Sequence, residues 1–425
     1  MSTSPELPPP LTVRQLIPSS FLPAMIFEIG NGAMAPVLAL TALHLGASPT
    51  SAGFTLSMLG IGQILGDIPA SSLANRVGDR RAMQIAALVA IGAQLTALTA
   101  TSVGFLDVAL LLIGMSTATF YLARQAYITE VAPAHLRARA MSTLGGAHRL
   151  GLFLGPFIGA AGIHFWGLHG AYIVAVFTSS LTVTVLAVVP DLPEARAPKR
   201  TGKTALPSPG QVIRQHRRLF ATLGLAVLAT GAVRAARQTV IPLWAQHIGL
   251  SAEQTSIIFG IASAVDVSLF YPSGKIMDRF GRLAIAVPSM TLLGTAMMLL
   301  PLSHNVIMLT ILAMLMSAGN GLSSGIIITL GADVAPPLIR LRFFSIWRVM
   351  SDTGNALGPI AVSAIATIAT LATGIVAVGA FGPLAAAGMA RWVPRYSPFA
   401  TRRMMRDRRQ EITNARLDPP EDTGG

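Results

Sequence analysis

Apolar stretches long enough to cross a lipid bilayer recur along almost the whole sequence. A membrane helix needs about 20 mostly apolar residues to cross roughly 30 Å of hydrocarbon. Twelve stretches meet this length, near residues 17–40, 52–73, 82–101, 106–129, 142–164, 168–190, 219–245, 252–273, 282–302, 305–331, 343–369 and 374–393. The sequence therefore predicts an all-α integral membrane protein with twelve transmembrane helices.

The composition argues against a water-soluble enzyme. Only 12% of the 425 residues are charged and 52% are hydrophobic, whereas a soluble domain usually carries about 25% charged residues. The chain has no cysteine, which removes disulfides, thiolate metal sites and thiol nucleophiles. A Gly-x-Ser-x-Gly sequence at 321–325 falls inside a predicted helix, where it cannot form a nucleophile elbow. We expect no enzymatic activity, no cofactor and no metal.

Basic residues alternate between the two sides of the predicted membrane. The tails and the connections after even-numbered stretches hold 26 of the 31 Lys and Arg residues, and the connections after odd-numbered stretches hold none. Positive loops stay on the cytoplasmic side of a membrane. We therefore predict a multi-pass protein of the inner (plasma) membrane with both termini in the cytoplasm. The net charge of +13 is a topological signal, so we expect contacts with membrane lipids and none with nucleic acid.

The two halves of the sequence repeat each other at an offset of 203 residues. The matched segments are His44–Ser48 with His247–Ser251, Glu130–Pro133 with Asp333–Pro336, and Gly151–Pro156 with Gly354–Pro359. Parallel repeats are one of the transporter architectures, with substrate bound near the midplane between them. We predict two parallel six-helix repeats and three cytoplasmic segments: repeats at 17–190 and 219–393, a linker at 191–218, and tails at 1–16 and 394–425.

The turn after the second stretch of each half carries a motif. The second half reads Gly274-Lys-Ile-Met-Asp278-Arg279-Phe-Gly281-Arg282, and the first reads Ser71-Ser-Leu-Ala-Asn75-Arg76-Val-Gly78-Asp79. These motifs resemble the signature sequence of the major facilitator superfamily. The twelve predicted spans in two parallel repeats are a second point of resemblance to this family. The first copy departs from the family pattern, because serine replaces its first glycine and asparagine replaces its aspartate.

The resemblance implies that these turns form a gate, in which acidic and arginine side chains link helix ends at the cytoplasmic mouth. The residues assigned to the gate are Asp67, Asn75, Arg76, Asp79, Glu130, Asp278, Arg279, Asp333 and Arg340. Asn75 cannot form an ionic link, so the first-half link is either weaker or uses Asp79 or Glu130. Membrane topology alone is the alternative explanation for Arg76, Arg80 and Arg81.

Ionisable residues inside the predicted spans mark a candidate transport site. A charged group in a membrane helix costs at least about 2.5–3.5 kcal/mol, so it normally faces a cavity or a partner. Glu28, Asp266 and Asp352 lie near the middle of their spans and are the candidates for proton coupling. Glu28 ranks first because its own span contains no arginine. A static hydrogen bond or ion pair is the alternative for each of them.

Candidate substrate-binding residues lie on the same set of helices. They are Glu28, Asn31, Arg149, Arg234 and Asn355. Asn31 and Asn355 each follow an acidic residue by three positions and therefore share its helix face. The resemblance implies that spans one, five, seven and eleven line a central cavity. Arg149 and Asp352 occupy equivalent positions of the repeat, from which we predict that they pair across its axis.

The sequence Gly151-Leu-Phe-Leu-Gly155-Pro156 on the fifth span resembles the motif of drug–proton antiporters in this superfamily. We expect a secondary active transporter that exports small lipophilic or amphiphilic compounds by alternating access. Its partners would be protons and a small-molecule substrate, and the working unit a monomer. Two alternatives stay open: a proton symporter or uniporter for a polar metabolite, and a non-transporting receptor or assembly protein on the same scaffold.

Overall fold

The computed structural model describes residues 15–132, 134–190, 208–323, 325–336, 339–407 and 410. Within these residues the chain forms helices joined by short turns, and no β-strand. The predicted all-α fold class is confirmed. Most of the predicted tails and linker, namely residues 1–14, 191–207 and 411–425, lies outside the described residues.

The helices of the N-terminal part of the chain begin after a π-helical turn at Ile17–Phe21. They are α1 (Leu22–Met34), α2 (Leu38–His44), α3 (Pro49–Val77), α4 (Asp79–Leu98), α5 (Val103–Val131), α6 (Ala134–Trp166) and α7 (His169–Val188). Those of the C-terminal part are α8 (Pro209–Gln215), α9 (Leu225–His247), α10 (Ala252–Phe280), α11 (Leu283–Leu299), α12 (Val306–Ser323), α13 (Ile326–Val334), α14 (Arg340–Ile368) and α15 (Leu371–Tyr396).

Nine helical stretches of the described chain are long and apolar enough to cross a membrane. They are Ile17–His44, Asp79–Leu98, Val103–Val131, His169–Val188, Arg217–His247, Ala252–Phe280, Leu283–Leu302, Val306–Val334 and Leu371–Tyr396. The helices α3, α6 and α14 contain 29, 33 and 29 residues, which at about 1.5 Å per residue also exceeds the thickness of the hydrocarbon core. Together these stretches correspond one to one with the twelve predicted spans.

The two motif turns depend on glycine. Gly78, between α3 and α4, has a φ of 88°, and Gly281, between α10 and α11, has a φ of 97°. Residues with a side chain rarely adopt this left-handed conformation. At Gly281 a side chain would also collide with backbone, because an added Cβ would lie 2.6 Å from the carbonyl oxygen of Ala400. These turns therefore account for two glycines of the family signature.

Contacts divide the chain into two compact units, the first of which contains residues 1–37 and 61–202. In it α1 packs against α6 and α7, and α4 packs against α5 and α7. Glycines bring α1 and α6 together, because a Cβ added at Gly155 would lie 2.6 Å from both the Cα of Gly32 and the carbonyl oxygen of Ile29. The glycines of the antiporter-like motif thus form a helix-packing surface.

The second unit contains residues 38–60 and 203–425. In it α9 packs against α14 and α15, α11 packs against α12 and α15, and α10 packs against α12. A Cβ added at Gly354 or Gly358 would overlap the carbonyl oxygen of Leu228 or Ala232 on α9. The repeat-equivalent glycines of α6 and α14 therefore have the same packing role. The predicted boundaries of the two repeats, 17–190 and 219–393, stay a prediction.

Replacing Gly155 by valine is expected to lower the free energy of unfolding by about 2 kcal/mol, because the larger side chain must push α1 away from α6. Denaturant titration of the purified protein in detergent measures this change. Gly92→Val is the matched control, since no atom lies within 4 Å of a Cβ added at Gly92. Equal losses of stability in the two variants would contradict the packing role of Gly155.

Candidate functional site

A carboxylate lies at the centre of a polar cluster inside the first unit. Glu28 on α1 is 0% exposed, and its Oε1 lies 3.1 Å from Nδ1 of His148 on α6 and 3.8 Å from Nη1 of Arg124 on α5. Asn31 donates a hydrogen bond of 3.4 Å to Oε2 of Glu28, so the predicted shared face is present. A buried charge is costly unless it is paired, and the basic side chains around Glu28 meet this requirement.

The aromatic ring of Tyr121 lies between the two basic members of the cluster. The Cζ atom of Arg124 is 4.3 Å from the ring centroid, and the imidazole of His148 meets the ring edge-on at 5.3 Å. Cation–π and edge-to-face contacts favour one orientation of each side chain. The cluster therefore has a defined geometry built from α1, α5 and α6.

Sequence spacing does not reveal this cluster, because its members come from three helices. The reason for ranking Glu28 first also needs correction. Its own span contains no arginine, but Arg124 arrives from α5 and lies against the carboxylate. One feature of the sequence did point to the cluster. Arg124 and His148 lie inside predicted membrane spans, where an ionisable side chain raises the free energy of insertion. Such residues need a buried partner, and Glu28 is that partner.

In the second unit, Asn320 on α12 bridges an arginine and an aspartate. Arg234 Nε donates to Asn320 Oδ1 over 2.9 Å, and Asn320 Nδ2 donates to Asp266 Oδ2 over 2.9 Å. An amide suits this position because it both donates and accepts hydrogen bonds. Arg234 and Asp266 were predicted as separate site residues, and the structure joins them through a residue that was not predicted.

The contact between α9 and α12 continues one turn along both helices. Arg237 follows Arg234 by three residues and is buried. Its Nη1 donates to Ser317 Oγ over 2.6 Å. Ser317 in turn lies three residues before Asn320. Positions three apart lie on one helix face, so two arginines of α9 face two polar residues of α12. This polar strip lies among otherwise apolar helices.

Asp352 on α14 contacts two residues of its own helix. Arg348 Nε lies 3.4 Å from Asp352 Oδ2, and Asn355 Nδ2 donates to Asp352 Oδ1 over 3.4 Å. The predicted shared face of Asp352 and Asn355 is therefore present. Arg149 lies half-buried on α6 in the first unit. Its predicted pairing with Asp352 stays a prediction.

In the second motif turn, Asp333 forms a two-pronged ion pair with Arg282. Arg282 Nε and Nη2 lie 2.9 and 3.2 Å from Oδ2 and Oδ1 of Asp333. Ser397 Oγ donates to the same carboxylate over 2.7 Å, and Asp278 Oδ1 lies 3.8 Å from Arg282 Nη1. The structure therefore brings the predicted gate residues Asp278 and Asp333 together at Arg282, which was not assigned to the gate.

The two arginines that were assigned to this gate have other positions. The Cζ of Arg279 lies over the ring of Phe280 at 5.4 Å. The side chain of Arg340 lies outside the described residues. The motif arginine after Gly281 is the one that meets Asp333, because the turn directs it toward the end of α13.

The first motif turn is attached to α7 through Arg80. Its Nε donates to the carbonyl oxygen of Leu186 over 2.8 Å, and its Nη2 also contacts the carbonyl oxygen of Val189. A cation at the C-terminal end of a helix stabilises carbonyl groups that have no partner within the helix. Arg80 was not assigned to the gate, and it attaches the start of α4 to the end of α7.

A cavity of about 680 Å³ lies beside this turn. Asn75, Asp79 and Glu130 are among its lining residues. Asp79 is buried, Glu130 and Asp67 are half-buried, and Asn75 and Arg76 are exposed. Asp79 and Glu130 thus line the same cavity as Asn75, and the gating role of all three stays a prediction.

Replacing Arg282 by glutamine is expected to lower the free energy of unfolding by about 2 kcal/mol, because a buried carboxylate loses its two-pronged partner. Denaturant titration in detergent measures the loss. Arg391→Gln on α15 is the control. Its guanidinium is exposed and rests on the ring of Trp392 at 5.3 Å, a contact that contributes less than about 1 kcal/mol. Equal losses in both variants would contradict the structural role of Arg282.

Two solved transporter structures are similar in fold to this chain. The xylose transporter XylE from E. coli, in an inward open conformation, is 18% identical and has a TM-score of 0.68, with 90% of this chain and 97% of that chain covered. The nucleoside transporter NupG is 14% identical and has a TM-score of 0.71, with 89% and 98% covered. At these identities the likeness concerns the fold.

One curated protein matches by sequence. The chromaffin granule amine transporter of Homo sapiens is 25% identical over an alignment of 246 positions, and the match covers 54% of this chain and 44% of that protein. The match therefore covers less than half of the length of this relative.

The profile of the Major Facilitator Superfamily matches residues 21–359 and, in a second placement, residues 223–409. The first placement alone covers more than half of the chain. The helix arrangement and the motif turns with glycines at positive φ agree with this match. The chain belongs to the Major Facilitator Superfamily and is a membrane transporter of that type.

Proposed function

We propose that the protein is a proton-coupled exporter of small lipophilic or amphiphilic compounds that works by alternating access. The observation that carries the proposal is the Glu28 cluster, in which a fully buried carboxylate contacts His148 and Arg124. Burial favours the protonated form of a carboxylate, and a nearby cation favours the ionised form. A transport cycle that changes these contacts would therefore load and release one proton.

His148 connects the buried carboxylate with solvent in this proposal. Its side chain is 26% exposed, whereas those of Glu28 and Arg124 are 0% and 6% exposed. Histidine side chains commonly serve as proton shuttles. His148 is therefore the proposed path by which a proton passes between water and Glu28. Asp266 and Asp352 are proposed as further proton-coupling residues.

The proposed substrate contacts are Glu28, Asn31, Arg149, Arg234 and Asn355. The helix ends at the two motif turns are proposed to act as the gate. We further propose a monomer in the inner (plasma) membrane. Both termini are proposed to lie in the cytoplasm, which the distribution of basic residues supports. The name of the curated relative, an amine transporter, makes organic cations the first substrates to test.

Transport by proteoliposomes under an imposed pH gradient tests this function. A permanently charged lipophilic cation is a suitable first probe, because an acidic lumen cannot trap it by protonation. Xylose and a nucleoside complete the panel. Accumulation driven by an acidic lumen supports antiport, whereas accumulation driven by an acidic exterior supports the proton-symport alternative. Uptake that ignores the gradient would contradict proton coupling. Protein-free liposomes are the control.

A further inference from the structure

A second cavity, of about 450 Å³, lies beside the turn between α10 and α11. It is lined by Lys275, Asp278, Arg279, Arg402, Met405 and Arg406. Four of these side chains are basic and one is acidic. A concave surface with an excess of one charge concentrates its field and attracts ions of the opposite charge. The cavity is therefore suited to an anion.

The chain after α15 folds back to complete this cavity. The backbone N–H groups of Arg282 and Leu283 donate to the carbonyl oxygens of Phe399 and Ala400 over 3.1 and 3.0 Å. Ser397 holds the same segment on Asp333. These contacts dock residues 397–400 against the turn, and the helical residues 402–407 that follow bring two further arginines to the end of α10.

Aromatic contacts hold the basic groups in place. The Cζ atoms of Arg279 and Arg402 lie 5.4 and 5.6 Å from the ring centroid of Phe280, and Nζ of Lys275 lies 4.7 Å from that of Tyr271. Arg406 follows Arg402 by four residues and so shares its helix face. Guanidinium groups that are positioned in advance bind phosphate oxygens through paired hydrogen bonds.

We propose that this cavity is a binding site for a phosphate-bearing anion, which Arg279, Arg402, Arg406 and Lys275 would contact. The exposed aromatic rings beside it favour the headgroup of an anionic phospholipid as the source. The Tyr271 side chain is 70% exposed at the end of a predicted membrane span, and tyrosine is enriched at the level of the headgroups. A free phosphate compound has the same recognition chemistry.

Binding of short-chain lipids to the purified full-length protein in detergent tests this site. The probes are dioctanoyl phosphatidylglycerol, dioctanoyl phosphatidylcholine and inorganic phosphate, and calorimetry is the measurement. Arg402→Gln with Arg406→Gln is expected to weaken binding of phosphatidylglycerol roughly 25-fold, from a roughly fivefold loss for each arginine. The matched control is Arg391→Gln with Arg395→Gln, two exposed arginines near the end of α15, for which we expect a change below about threefold.

A loss of binding in the double variant does not by itself distinguish lost arginine contacts from a segment that is no longer docked. Lys275→Gln makes this distinction. It lies on α10, outside that segment, and is expected to weaken binding roughly fivefold. If inorganic phosphate binds with the same dependence on these residues, the site recognises a soluble phosphate compound; if only phosphatidylglycerol does, it recognises a lipid headgroup. Affinity that is unchanged in both cavity variants, or binding of phosphatidylcholine as tight as that of phosphatidylglycerol, would overturn the proposal.

Discussion

Replacing Glu28 by glutamine is expected to reduce pH-driven transport by at least about 100-fold, the scale on which a positioned proton-transfer group contributes. Glutamine keeps the size of the side chain and its ability to accept from Asn31, but it cannot bind and release a proton. Exchange of labelled for unlabelled substrate at equal pH, which needs no proton movement, is expected to persist, because glutamine keeps a hydrogen-bonding side chain at this proposed substrate contact. The two measurements in the same proteoliposomes separate coupling from substrate binding.

The control for Glu28→Gln is Glu253→Gln, at the first turn of α10. It removes the same chemical group from the first turn of a helix, at a half-buried position outside the Glu28 cluster, and we expect its pH-driven transport to stay within about twofold of that of the unchanged protein. A Glu28→Gln protein that still accumulates substrate in proportion to the pH gradient would show that the proton is carried elsewhere. Asp266 and Asp352 would then be the residues to replace.

Replacing Asn320 by leucine is expected to lower transport at least about tenfold and the free energy of unfolding by about 3 kcal/mol, because two hydrogen bonds to charged groups are lost together. Leucine has the same branched shape beyond Cγ but a larger volume, so the position between α10 and α12 stays filled. The substitution leaves Arg234 and Asp266 in place but removes the amide that joins them. Initial rates of uptake and denaturant titration measure the two effects.

Asn305→Ala is the matched control for this substitution. Asn305 precedes the same helix, is exposed, and its Oδ1 accepts from the backbone N–H of Met308. Loss of such a cap costs about 1 kcal/mol of stability, and we expect no loss of transport beyond the lower amount of folded protein. If Asn320→Leu lost stability alone, with uptake per folded molecule unchanged, the bridge would be structural and Arg234 would no longer be supported as a substrate contact.

The fold class followed from features that are local in the sequence. Helix length and apolar composition predict the spans without knowledge of how they pack, because lipid requires every backbone group to be bonded within its own helix. Helical periodicity likewise places Asn31 beside Glu28 and Asn355 beside Asp352, and both contacts are present. The family resemblance predicted the motif turns, in which Gly78 and Gly281 have positive φ.

Contacts between helices could not be predicted from the sequence of each span alone. Which side chains meet depends on how far each helix is rotated about its axis and shifted along it, and packing against several neighbours sets both values at once. For this reason Arg124, Tyr121 and His148 around Glu28 were not foreseen. Neither was the bridging role of Asn320, nor the choice of Arg282 over Arg279 as the partner of Asp333.

The sequence by itself thus determined that the chain is α-helical and spans a membrane. It also showed which polar residues lie within the spans, where they raise the free energy of insertion. The tertiary structure decided which of those residues compensate one another. Glu28 illustrates the difference: its depth in the first span follows from a count of residues, whereas its pairing with Arg124 and His148 exists only because α5 and α6 pack around α1. A buried charge must find a partner, and only the packed helices supply one.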